Sequence, residues 1–258
     1  MQKFVILEKA VGETPLVTAE NWRSKNPEYK DVPLAYAGRL DPMASGQLLV
    51  LIGEECKNQA LYHKLDKEYQ FEILFGVSSD SGDVLGIISE SGEKTFSAER
   101  IAEVLPSLIG PIELPYPIFS SKTVQGKPLH TWTMEGRLNE VTIPTRKSEI
   151  FALTLLETRE LTRAEVAEIA IKKIETIPPV TDLRKALGND FRRSEIRPAW
   201  QAFSEQKNPT DCFTIAKIHC KASSGTYMRT LAEVIAQKLG TSGLAFSIHR
   251  SRIFLPNI

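Results

Sequence analysis

The chain has 258 residues, 42% of them hydrophobic and 25% charged, which is ordinary for a globular protein able to bury one large or two modest cores. Cations and acids balance at 32 each, so a nucleic-acid partner would have to be met by a local positive field and not by a positive total. The longest aliphatic run, Leu48 to Ile52, is far too short to cross a bilayer, and no basic-then-apolar leader opens the chain; a cytoplasmic protein without membrane contact is expected. Cys56, Cys212 and Cys220 make an odd count with no short paired spacing, which argues against disulfides and structural zinc and for buried thiols.

In chain order, Phe4 to Glu8 reads as a strand, and Thr18 as the cap of a short helix running to Asn26. A polar stretch with Pro27 and Pro33 leads into Ala35–Gly46. Leu48 to Ile52 follows as a strand buried on both faces, then a helix near Glu54. Glu68 to Phe75 is the next strand and Ser79–Asp83 a turn. Ser97 opens an amphipathic helix with Ile101, Val104, Leu105 and Leu108 on one face. Pro111, Pro115 and Pro117 punctuate an extended loop, and Ser148 to Leu155 is a strand. Thr162 and Glu165 have the capping-box spacing, starting a helical stretch to about residue 208 that carries Lys172, Lys173, Arg184, Lys185, Arg192, Arg193 and Arg197. Thr214 to Lys221 returns to strand, Ser224-Gly225-Thr226 opens a last helix to about Leu239, and Ser247 to Phe254 is the final strand. From Cys212 onward six cations face the single acid Glu233, a charge asymmetry that permits RNA binding. The expected class is α+β, one domain over 1–258 with a helical insertion at about 162–208.

Alone, Arg39-Leu40-Asp41-Pro42 reads as a turn, because Asp and Pro are standard turn residues. The small residues Ala44-Ser45-Gly46 that follow would let backbone approach a ligand closely. Gly38 to Gly46, continuing to Gly53 and Lys57, resembles the catalytic motif of TruB-type pseudouridine synthases, and four further blocks agree in the family's order. These are Gly12-Glu13-Thr14 with Trp22-Arg23; Lys67-Glu68-Tyr69 with Gly76 and Ser79 to Gly86; Pro117 to Gly126; and Ser224 to Ala232. His249-Arg250-Ser251-Arg252 resembles the family's closing segment.

The resemblance implies a pseudouridine synthase fold, with a central mixed, largely antiparallel sheet flanked by helices and loops. It implies isomerisation of uridine to pseudouridine in RNA, usually in the T-loop of tRNA, by a monomer without a metal or other cofactor or an obligate protein partner. Asp41 matches the nucleophile that attacks the flipped-out nucleoside. Tyr69 matches the tyrosine that stacks on the base and helps remove the final proton. Arg229 matches the arginine that pairs with the catalytic carboxylate. Such an arginine would keep a buried carboxylate ionised and orient it through paired hydrogen bonds. Tyr36, Arg39, Lys67, Tyr227, Asp80 and Asp83 are the candidate substrate-binding residues.

Each of these residues also has a plain structural reading. Tyr69 alternates with Phe71 and Ile73 as a core tyrosine would, Arg229 could bind phosphate at a helix start, and Asp80 and Asp83 are turn residues. Tyr36 stands where bacterial members commonly have histidine, Arg39 where Thr or Ala is usual, and Val234 where aspartate is common. With six residues after Arg252, the appended RNA-binding PUA domain of many members is expected to be missing, and the basic helical stretch to offset it by gripping phosphates. The same chemistry on another RNA, a non-catalytic RNA-binding or RNA-folding protein, and a hydrolase using Asp41 are the competing readings.

Overall fold

The computed structural model describes residues 2–180, 190–206, 208 and 210–255. Along the chain the elements are β1 (Phe4–Lys9), α1 (Pro15–Lys25), β2 (Leu34–Ala37), β3 (Ala44–Ile52), α2 (Gln59–Tyr62), β4 (Lys67–Phe75), β5 (Val77–Ser79), β6 (Ile88–Glu90), α3 (Ala98–Val104) and β7 (Gly110–Pro115). There follow β8 (Thr123–Val124), β9 (Lys127–Pro128), α4 (Leu129–Met134), β10 (Thr145–Thr162), α5 (Arg163–Glu175), α6 (Arg193–Ser204), β11 (Cys212–Ala222), α7 (Met228–Lys238) and β12 (Gly243–Ile253).

The main sheet has eight strands, ordered β1-β3-β12-β4-β11-β10-β7, with β2 paired to the far half of β3. Its pairs are antiparallel except β3 with β12, as a mixed, largely antiparallel α+β sheet requires. The continuous run Leu48 to Ile52 is buried on both faces, as its lack of alternation predicts. On one face α7 and α3 cover Phe71, Ile73, Phe75 and Ile218; on the other α5 and α6 cover Leu74, Phe213, Ile215 and Phe246. Trp200 of α6 is wholly buried there, and its indole N–H donates to the Val84 carbonyl at 3.0 Å.

Several boundaries differ from the sequence reading. The first helix is capped by Thr14, whose hydroxyl accepts from Val17 N–H; Thr18 lies inside the helix and donates to Glu13 instead. Pro15 explains this, since proline fits the first helical position directly after a cap. Of the proline-punctuated stretch expected as a loop, Gly110–Pro115 forms the edge strand β7, where a missing N–H can face away from the ladder, and the part from Tyr116 to Ser120, with Pro117, is irregular. The helix near Glu54 begins as 3₁₀ turns over Gly53–Asn58. Of the three free cysteines only Cys220 is fully buried; Cys56 and Cys212 are half-buried. The Thr162–Glu165 capping box forms with both of its hydrogen bonds.

Gly46 has a specific task. At φ +105°, a Cβ on it would lie 2.3 Å from the Arg250 carbonyl oxygen, so β3 and β12 can meet there only without a side chain. The close approach anticipated for a ligand is therefore made by the chain's own backbone.

Among the described residues, no helix is long and apolar enough to cross a membrane.

Candidate active site

Asp41 sits in the short connection between β2 and β3. The Asp41 carbonyl accepts the Ala44 N–H at 3.0 Å, closing a turn with Pro42 at its second position, where proline's fixed φ belongs. Lys9, at the end of β1 and wholly buried, donates to the Ala44 carbonyl at 2.5 Å and the Ala10 carbonyl at 2.9 Å, and reaches Pro42 O at 3.5 Å. Gly12 N–H adds a 2.8 Å bond to the Pro42 carbonyl. The turn bearing Asp41 is thus held from behind by the strand that opens the chain. Burial pulls the Lys9 ammonium down to about 8, against the pull of Glu13 and Asp41.

On the other side stands Arg229, one residue into α7. Its side chain is 5% exposed and its Nε lies 2.9 Å from Asp41 Oδ2, while Asp41 itself is 41% exposed. The terminal nitrogens donate to the Ser81 carbonyl at 2.8 Å and the Phe119 carbonyl at 3.3 Å. The paired hydrogen bonds expected from guanidinium to carboxylate are not present. The fork is spent on two backbone carbonyls, and the Nε–H is not aligned with the Asp41 oxygen, so the contact is an ion pair. Nor does Arg229 present itself to a phosphate at the helix start, because it points into the protein.

Asp83 is the second carboxyl near this guanidinium, its Oδ2 at 4.0 Å from Nε. Its other oxygen accepts from the Ser81 hydroxyl at 2.8 Å and from Leu85 N–H at 2.9 Å. Burial pushes the Asp83 carboxyl up, and the Arg229 charge opposes that shift. Glu233, one turn along α7, is pushed up to about 7, first by burial, with Arg229 opposing and Asp83 adding to the rise.

A cleft of about 1120 Å³ opens over this group, lined by Tyr36, Arg39, Asp41, Lys67, Tyr69, Asp83, Tyr227, Arg229 and Arg250 among others. Eight of the nine residues singled out from the sequence are therefore brought together. Asp80 is the exception: it is not on the cleft wall, and its carboxylate takes the Ile87 N–H and both terminal nitrogens of Arg192.

Tyr69 projects from β4 into the cleft and is not a pure core residue; burial raises its phenol, and the facing Arg250 guanidinium opposes that rise. Lys67, two residues earlier, is buried and donates to the Leu65 carbonyl, with burial and then Arg250 lowering it to about 8. Tyr227 caps α7 and meets Tyr116 edge-to-face at 5.5 Å. The Arg39 guanidinium stands 6.0 Å from the Tyr36 ring centre.

Arg250, Lys9 and Phe119 were missed as site residues, and Arg192 was expected only as a phosphate contact. Arg250 bridges the gap between β2 and β12, donating to the Gln47 carbonyl at 2.7 Å and the Gly38 carbonyl at 3.1 Å. Arg250 and Phe119 lay within blocks carrying the family resemblance, which was the available signal; Lys9 had none stronger than position. Of the basic residues expected to grip phosphates, Arg193 is buried on Asp190 and the Ile177 carbonyl, Lys173 donates to the Phe246 carbonyl, and Arg197 pairs with Glu175. Lys172 is exposed, and Arg184 and Lys185 lie outside the described residues. The cationic C-terminal segment also divides: Arg229 and Arg250 line the cleft, while Lys221 and Arg252 flank Phe254 elsewhere. Among the described residues, no group of three or more His, Cys, Asp or Glu could hold a metal ion.

Residues 29–173 match the model of the TruB family pseudouridylate synthase N-terminal domain. The chain is 30% identical to tRNA pseudouridine synthase B of Nostoc sp. over 241 residues, covering 93% of this chain and 80% of that protein. It is also 30% identical to tRNA pseudouridine synthase 4 of Saccharomyces cerevisiae over 234 residues, covering 82% of this chain but 58% of the yeast protein. With tRNA pseudouridine synthase B of Caldanaerobacter subterraneus the match is 39% over 125 residues, covering 48% of this chain and 43% of that protein. In three dimensions the fold is shared with the crystal structure of a Cbf5-Nop10-Gar1 complex, at a TM-score of 0.55 and 15% identity over 97% of this chain and 48% of that one. The chain belongs to the TruB family of pseudouridylate synthases.

Proposed function

We propose that the protein is an RNA pseudouridine synthase acting as a monomer on cytoplasmic tRNA, isomerising a uridine of the T-loop. The observation that carries this reading is the half-exposed Asp41 carboxylate, 2.9 Å from the buried Arg229, at the floor of a cleft also lined by Tyr69. The relatives named as tRNA pseudouridine synthases support the choice of substrate.

In this mechanism the uridine leaves its stack, at a cost of a few kcal/mol that a folded loop reduces, and its base rests on the Tyr69 ring. Asp41 attacks C1′ of the ribose. The C1′–N1 bond breaks and uracil departs with the electron pair on N1. Arg229 stands beside the attacking carboxylate in this step and offers it a fixed positive charge. The free ring turns until C5 faces C1′; the new C5–C1′ bond then forms as the ester to Asp41 breaks. C5 finally loses its hydrogen as a proton and N1 gains one, so the product is an isomer of the substrate. The Tyr69 hydroxyl relays the C5 proton, passing its own proton on to solvent as it takes up the one from C5, with Arg250 offsetting the rise that burial imposes on the phenol.

Because the C5 hydrogen is released, tRNA carrying 5-tritiated uridine reports turnover directly. Wild type is expected to release tritium into water, and Asp41→Asn to release it at least about a thousandfold more slowly while still binding the tRNA. A well-folded wild type that releases none from tRNA would overturn the tRNA assignment. An Asp41→Asn variant as competent as wild type would favour a binding or folding role.

A further inference from the structure

The segment Asp190-Phe191-Arg192, just before α6, has an unusual backbone: three consecutive residues other than glycine at φ +42°, +56° and +58°. Such a run persists only where its surroundings hold it, and it is a reason to ask what the side chains do. Phe191 and Arg192 both line the cleft that contains Asp41. The two terminal nitrogens of Arg192 donate to the two carboxylate oxygens of Asp80 at 2.7 and 2.9 Å. Its guanidinium carbon sits 4.2 Å from the centre of the Phe119 ring, also on the cleft wall.

An arginine held this way is a poor phosphate ligand, because a phosphate would have to displace a bidentate carboxylate that already cancels its charge. What it offers is a flat plane locked against an aromatic ring, and both surfaces are suited to stacking on a nucleobase. The position is also specific. Phe119 and Ser81, the neighbour of Asp80, are the residues whose carbonyls hold the Arg229 guanidinium. The plane therefore meets the Asp41–Arg229 pair directly through Phe119, and a second time through Asp80 and its neighbour Ser81. Tyr69 already serves the target base.

We propose that Arg192 and Phe119 form a second stacking platform, which receives a base adjacent in the RNA chain to the uridine being isomerised. This inference rests on the RNA isomerase reading above. It gives the helical stretch between β10 and β11 a part in substrate recognition through one fixed plane, in place of the phosphate grip expected from its basic composition.

The test uses T-arm stem-loops carrying one 5-tritiated uridine, each with an abasic site at a different nucleotide flanking it. Wild type, Arg192→Lys and Phe119→Leu are compared on each. Lysine keeps the charge opposite Asp80 but has no plane. For wild type, one abasic substrate is expected to show a KM about tenfold higher with kcat little changed, the size of one lost stack. Both variants are expected to show that higher KM on the intact stem-loop and no further rise on the abasic one. Phe119→Leu alone decides the matter if Arg192→Lys does not fold. A wild type indifferent to every flanking abasic site overturns the proposal, as does a variant that keeps full sensitivity to them. A wild type that releases no tritium from either the intact stem-loop or whole tRNA overturns the isomerase reading itself, which is a distinguishable result.

Discussion

Arg229 approaches Asp41 through Nε at 2.9 Å while its two terminal nitrogens are fastened to the carbonyls of Ser81 and Phe119. The guanidinium is thus immobilised by backbone and lends Asp41 its charge without enclosing it. The outer part of the Asp41 carboxylate stays open to the cleft, where the ribose carbon arrives in the proposed mechanism. A bidentate clamp would have occupied both oxygens of that carboxylate.

This arrangement makes Asp83 a dependent of Arg229. Replacing Arg229 by glutamine leaves a buried carboxyl without its counter-charge and is expected to cost about 3 kcal/mol of stability. Adding Asp83→Asn should restore most of that loss in urea unfolding but none of the tritium release. Activity returning together with stability would mean that Arg229 serves only to neutralise Asp83.

Lys9 is expected to act on the Asp41 turn through carbonyls. Lys9→Met frees the Pro42 and Ala44 carbonyls just after Asp41 and should reduce kcat about tenfold to a hundredfold, since small misplacements of a reacting group carry penalties of that order. Its pH signature has a definite sign. The folded value near 8 is below the unfolded 10.5, so the unfolded chain holds the extra proton between those limits and stability due to Lys9 rises with pH across that window. Unfolding measured at pH 8 and pH 10 should show a shallower rise for Lys9→Met than for wild type, by up to about 1.4 kcal/mol per pH unit. Parallel curves would contradict this.

Glu233 carries the opposite dependence. Held near 7 by burial beside Asp83, with Arg229 opposing, it keeps its proton in the folded state when the unfolded chain, at 4.5, has lost it. Its contribution is therefore largest at acid pH and falls away as pH rises from about 4.5 to 7. Relative to wild type, Glu233→Gln should gain stability at pH 8 compared with pH 5. An unchanged difference at the two pH values would rule out this titration.

Trp200 links the helical stretch to the turn that carries Asp83. Trp200→Ala removes a wholly buried ring and is expected to cost about 3–5 kcal/mol. Trp200→Phe keeps most of the volume but leaves the Val84 carbonyl without its indole donor, for about 1–2 kcal/mol. Thermal unfolding with calorimetry distinguishes the two; equal losses would show that the packing of the ring adds nothing beyond the hydrogen bond.

Much of this protein was legible in the order of its residues. The strands around Leu48–Ile52 and Glu68–Phe75 and the Thr162–Glu165 cap follow from periodicity and from hydrogen bonds that close within a few residues. The Asp41 turn and the Ser224–Ala232 block likewise carry their signal in contiguous residues. Short-range chemistry of this kind does not depend on what packs against it.

Tertiary structure alone decided which distant groups meet. Lys9 lies more than thirty residues from the Pro42 and Ala44 carbonyls it reaches, and Arg250 joins Gly38 to Gln47 only because β12 pairs with β3 in parallel. Asp80 and Arg193, both plausible ligand contacts by type, were taken up by internal partners. Charge and residue type show what a side chain can do. Burial and the partners that reach it first determine what it does, and those depend on strand order and register, which one linear sequence does not display.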